Sequence, residues 1–172
     1  MTYKVGDETT CCSKTAAKLA EKSAAKTQFV VGKKTFQDKR KAFVTLVKTT
    51  EEYVDGFAAP HKCNVTGATT VAGTKCHCPV EAEKRVKVVR AAMAKVRMTY
   101  LVGEKSSHCP TEAKKLAKEN GSATCYLVNG DKTECEYTAR LNLARAKYKA
   151  AVQAAVKLAT ASAVPADSKS DS

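Results

Sequence analysis

Three short runs in this sequence place soft, ionisable side chains where a helix should begin. They read Cys11-Cys12-Ser13, His77-Cys78-Pro79 and His108-Cys109-Pro110, and Cys76 stands one residue before the second. A related final run carries Cys135 at the place of Cys11 and His108, with Glu136 where the second Cys would fall. A thiol at a helix N-terminus meets unpaired backbone N–H groups and the positive end of the helix dipole, and both favour thiolate. Lys14, Lys75 and Lys105 lie close in sequence and act in the same direction. Thiolate with imidazole selects Zn, Cu(I) or an iron–sulfur cluster. Adjacent residues seldom supply all four corners of one tetrahedral site, so a centre requires several runs to converge. Cys12, Cys78 and Cys109 are the expected core ligands, completed by Cys11, Cys76, His77 and His108 and extended by Cys63 and Cys135.

Around Cys63 the chain reads Lys62-Cys63-Asn64-Val65-Thr66-Gly67, followed by Cys76-His77-Cys78-Pro79 and a helical stretch. Over residues 62–90 this resembles the short Cys-rich metal-binding modules of the YHS/TRASH type. The resemblance implies Cys63, Cys76 and Cys78 as metal ligands. Two other fates for the thiols stay open. Eight Cys is an even number that permits four disulfides in an oxidising compartment. Some, such as Cys125 inside a strand-like run, fit buried thiols that behave as small hydrophobes. His61, beside Pro60, reads as a surface residue.

The elements that position these residues recur. TYKVGDETTCCSKTAAKLAEK from Thr2 aligns with TYLVGEKSSHCPTEAKKLAKE from Thr99, with Gly6 matching Gly103. A second segment follows each copy, and TTVAGTKCHCPVEAEKRVKVV in the middle has the same grammar. Each unit opens with a short apolar run: Tyr3 and Val5; Phe29 to Val31; Tyr100 to Val102; Tyr126 to Val128. β-Branched and aromatic residues favour strand there. Gly, or Asn129-Gly130, then makes a tight turn. A second short strand leads to the Cys positions and an Ala/Leu/Lys helix, which Pro79 and Pro110 can start because the first helical N–H needs no partner. The unit is therefore β-turn-β-helix.

Three longer helices carry apolar stripes at steps of three and four, the mark of one buried face. They comprise Phe43, Leu46, Val47, Thr50, Tyr53, Val54 and Phe57; Ala82, Val86, Val89, Met93 and Val96; and Leu141, Ala144, Tyr148, Ala151, Val152, Ala155 and Leu158. Ala58 to His61 breaks the chain after the first stripe. The expected class is α+β, an internally duplicated set of β-hairpin–helix repeats with small antiparallel sheets packed on long amphipathic helices. Its parts are residues 1–57 as a first half with two units, 62–97 as a middle Cys-rich unit, 98–161 as a second half, and 162–172 as a disordered tail.

Composition narrows the function classes. The 172 residues contain no Trp and 6% aromatics, so Ala and Val must fill a core of closely approaching backbones. The net charge of +13 is mostly Lys spread along helices, which reads first as a solvated face and second as a surface for an anionic macromolecule. No apolar run is long enough to span a bilayer, so membrane insertion is not expected. No basic leader with an apolar stretch precedes Thr2, which leaves a cytoplasmic protein or an exported one without its signal; of these a periplasmic or secreted protein is the expectation, with a cytoplasmic one kept open. No Cys-x-x-Cys, phosphate-binding Gly loop, nucleophile elbow or acid/base pair stands out, so an enzyme is not expected. The expected function is soft-metal storage, sensing or transfer, with Zn or Cu(I) ahead of an iron–sulfur cluster. The alternatives are a disulfide-stapled extracytoplasmic structural or interaction protein with a basic surface, and a nucleic-acid-binding protein.

Overall fold

The computed structural model describes residues 1–162. Its elements follow the hairpin–helix grammar. The first half has β1 (Thr2–Val5), β2 (Glu8–Thr10), α1 (Ser13–Ser23), β3 (Thr27–Val31), β4 (Lys34–Phe36) and α2 (Lys39–Phe57). The middle has β5 (His61–Lys62), β6 (Thr69–Val71), β7 (Thr74–Cys76) and α3 (Pro79–Lys95). The last part has β8 (Thr99–Val102), β9 (Lys105–Ser107), α4 (Pro110–Asn120), β10 (Thr124–Val128), β11 (Asp131–Thr133) and α5 (Glu136–Ser162). The fold is α+β, as the sequence predicts. The strand β5 is an addition, lying where the sequence suggested only a break. The tail expected at 162–172 lies outside the described residues from residue 163 onward.

Two compact units form, Met1–Glu52 and Tyr53–Ser172, with the division falling inside α2. The first contains the sheet β2-β1-β3-β4, all antiparallel. The second contains the equivalent sheet β9-β8-β10-β11 and the smaller sheet β5-β6-β7. In each four-stranded sheet two hairpins join through their first strands, so that Tyr3 lies opposite Phe29 and Tyr100 opposite Tyr126. The two ring pairs even share a geometry, edge-on at 5.7 Å between centroids. Such repetition in side-chain packing supports the duplication more strongly than sequence identity alone.

Each hairpin that leads into a helix closes with two turn residues, and the glycine moves between them. Gly6, Gly32 and Gly103 take the first place with φ near +59°, whereas Ala72-Gly73 and Asn129-Gly130 put glycine second and give both residues positive φ. These are the mirror-image turns whose twist suits a hairpin. The distances around the turn do not change. A buried Val ends each first strand (Val5, Val31, Val71, Val102, Val128), and a buried Ala (Ala16, Ala42, Ala82, Ala113, Ala139) sits eleven positions later in the first turn or so of the following helix. The Val anchors the strand and the Ala lets the helix approach it closely, since a methyl group is all that fits between two backbones at native packing density.

In the second unit the core joins Val71, Val89 and Met93 to Ala144, Ala151 and Ala155, with Phe57 and Tyr148 packed at its margin. Val71 and Val89 are fully enclosed, each burial contributing about 1.5–3 kcal/mol relative to exposure. The three stripes read from the sequence face inward, except that Tyr53 stays 62% exposed while its ring lies against Phe57 and Tyr148. One residue departs from the stripe logic. Arg85 is only 4% exposed on α3, with Nη2 bonded to Glu81 Oε1 at 2.9 Å. Among the described residues its Nε and Nη1 have no hydrogen-bond partner.

Candidate functional site

The end of each hairpin turns the chain into the next helix through one residue of extended backbone. Cys12, Cys78 and Cys109 occupy this capping position, with φ from −91° to −96° and ψ from 119° to 123°. Each presents its carbonyl to the N–H four residues on, at 3.0 Å for Ala16, 3.1 Å for Ala82 and 3.0 Å for Ala113. Cys135 does the same toward Ala139 at 3.0 Å, and Asp38 toward Ala42 at 3.1 Å. Cys135 therefore corresponds to Cys12 and Cys109, not to Cys11 and His108 as the sequence alignment had it. The alignment was anchored on glycine, which shifts by one place between turn types; anchored on the buried Val, all five caps fall seven residues later. In the unit of β3 and β4 the cap is Asp38.

Asp38 reveals what the position favours. Its Oδ1 accepts the Lys41 N–H at 2.8 Å, an ordinary carboxylate cap. That N–H, assisted by Arg40 and the positive charges of Lys41 and Arg40, holds the carboxyl below its usual range. The same field acts on sulfur. The Thr15 N–H, its hydroxyl and the Lys14 N–H lower the Cys12 thiol. The Glu112 and Thr111 N–H groups lower Cys109 against an opposing Glu112 charge. The Thr138 hydroxyl, then its N–H and that of Tyr137, lower Cys135 against Glu136. No thiol cap bond closes at Cys12 or Cys109, so there the amides act as aimed dipoles. A hydroxyl two residues before the cap fixes its backbone: Thr10, Ser107 and Thr133 accept the N–H of Cys12, Cys109 and Cys135 at 3.2, 2.9 and 3.2 Å.

Cys63 reaches the same state without a helix. Its N–H donates to the Ala68 carbonyl at 2.8 Å and its carbonyl accepts from Gly67 at 2.9 Å, closing a single turn over Asn64 to Thr66. The Thr66 hydroxyl and the N–H groups of Thr66 and Val65 surround the sulfur and lower its pKa. Four lowered thiols, Cys12, Cys63, Cys109 and Cys135, are thus all exposed to solvent.

The other expected ligands are placed differently. Cys11, His77 and His108 are exposed just before their caps, and His108 Nδ1 lies 3.3 Å from both the Met98 carbonyl and the Thr99 hydroxyl. Cys78 is an exposed cap. Cys76 is buried in the core, at the step of the repeat that Thr10, Ser107 and Thr133 fill elsewhere, with Sγ 4.0 Å from the Thr74 carbonyl. Cys125 is half-buried on β10 opposite Leu101. His61 is exposed, its Nε2 2.8 Å from the Gly56 carbonyl. All eight Cys are free thiols. Among the described residues no group of three or more His, Cys, Asp or Glu side chains is arranged to hold a metal ion, the trio Cys63, Cys76 and Cys78 included. The Tyr100 and Tyr126 hydroxyls have their pKa raised first by burial and next by the Glu136 charge.

No family model, curated protein or solved structure matches this chain.

Proposed function

We propose that this protein binds soft cations at its surface, one capping thiolate at a time, and passes them on. The observation that carries this reading is the equivalence of Cys12, Cys109 and Cys135 with Asp38, a position where the repeat stabilises negative charge. Thiolate is the form that binds metal, and a lowered pKa reduces proton competition for the sulfur near neutral pH. Cu(I) and Zn are the cations such sulfur prefers. A cation held by one exposed sulfur keeps open coordination positions, which a small thiol, a second copy or a recipient protein can enter. Open positions permit exchange, and exchange suits transfer better than storage.

The test is native mass spectrometry of the reduced protein loaded with Cu(I) and with Zn in turn. Bound metal should be retained by the wild type and lost stepwise as Cys12, Cys63, Cys109 and Cys135 are changed to Ser. The buried-site change Cys76→Ser should leave stoichiometry unaltered. Absence of retained metal in the fully reduced protein rejects the proposal.

A second reading is favoured by the exposure of these thiols together with the charge of +13. In an oxidising compartment the same sulfurs would join the chain by disulfides to an anionic partner protein. Under mild oxidation that reading requires mixed or dimeric disulfide masses that disappear on reduction, with no metal requirement.

A further inference from the structure

Within the unit Tyr53–Ser172, a concavity of about 430 Å³ opens between the chain entering β5 and α3, at the margin of the core where Ala82 and Val86 come to the surface. Pro60, Pro79 and Val86 supply apolar walls, Thr69 a hydroxyl from β6, and Lys87 and Arg90 two cations from successive turns of α3. The volume lies in the range of small-ligand sites, about 300–1,000 Å³, and the mixture of apolar wall with a few polar groups is typical of them. No cysteine lines it, so it stands apart from the thiol chemistry.

Its charge decides the ligand. Two cations line the space against a single acid, Glu83. Glu83 precedes Lys87 by four residues, a spacing that pairs well on a helix. Among the described residues, however, neither Lys87 nor Arg90 takes part in an ion pair, unlike Lys48, Arg85 and Lys115. Both cations are therefore available to an incoming anion. Proline rings offer flat, rigid C–H surfaces that suit a planar apolar body. We propose that this concavity binds a small aromatic carboxylate, its ring between the prolines and Val86 and its carboxylate toward Lys87 and Arg90, with the Thr69 hydroxyl as a further donor.

The probe is 2-naphthoate, added to the isotope-labelled full chain and followed by amide NMR. Saturable shifts should centre on Thr69, Ala82 and Val86. The double change Lys87→Ala and Arg90→Ala should weaken binding about 2–30-fold, the range for two exposed ion pairs. 2-Naphthalenemethanol, with the same ring and no charge, should bind the wild type more weakly by a similar factor. Both Ala changes are on solvent-exposed positions, and the spectrum itself reports that the fold persists. Saturation that is absent at millimolar probe, shifts scattered over Lys-rich helix faces, or equal affinity for acid and alcohol would each overturn the assignment.

Discussion

Arg85 reaches back one turn along α3 to place Nη2 2.9 Å from Glu81 Oε1, its own side chain 5% exposed and that of Glu81 48%. The pair is lopsided. Water screens the carboxylate, while the guanidinium sits in a low-dielectric setting with two nitrogens unbonded among the described residues. Desolvation of a charge can exceed its Coulombic return, so a well-packed apolar side chain of similar length is often no worse.

Arg85→Met should accordingly leave stability unchanged or raise it by about 1–2 kcal/mol, the lower part of the range seen for buried pairs. Glu81→Ala should do the opposite and cost about 1–3 kcal/mol by leaving the cation alone. Urea unfolding followed by circular dichroism measures both. A large loss on Arg85→Met would mean that the guanidinium carries a structural bond.

Thiol reactivity should divide the cysteines by position. Cys12, Cys63, Cys109 and Cys135 have folded pKa values below the ordinary thiol value, through first-turn N–H groups and Thr hydroxyls. They should alkylate faster than the same residues in denatured protein near neutral pH, with mapped peptides giving the rate at each site. The linkage sign follows. A depressed folded pKa contributes stability fully present above the unfolded value and lost as pH falls through the folded one. The wild type should therefore gain stability over a Cys→Ser variant as pH rises between those two values. A flat difference across that interval would contradict capping by thiolate.

The four caps Cys12, Asp38, Cys109 and Cys135 should be interchangeable. Asp38→Cys should fold and add one more fast-alkylating thiol, because Lys41, Arg40 and their amides already favour an anion there. Cys109→Asp should fold and lose one. Asp38→Ala should lower the thermal midpoint, since the Lys41 N–H loses its acceptor. Loss of folding in Asp38→Cys would show that the unit depends on a carboxylate and would break the equivalence.

Much of the architecture was legible because its signals are local. Strand-ending Val, turn glycine and helix-starting Pro each fix a short stretch of chain independently of tertiary contacts. The inward stripes of α2, α3 and α5 were legible for the same reason. The cap at Asp38 was not, although Val31 and Ala42 mark its place by spacing, because attention to Cys and His passes over an oxygen donor. Arg85 was missed since a charged residue on an Ala/Lys helix reads as solvated, and only the packed neighbours decide otherwise. Cys76 and Cys78, two residues apart, end one in the core and one in water. That outcome depends on the alternation of β7 and on the chain leaving the sheet after it, which adjacent letters do not reveal.

The hairpin tips accept glycine in either of two places while the Val-to-cap spacing stays constant. What happens at a tip is thereby insulated from what happens at the sulfur. Asp7 and Glu104, the exposed second residues of their turns, are consequently natural attachment points for a fluorophore or an immobilising handle, from which events at neighbouring sulfur atoms could be watched without touching them.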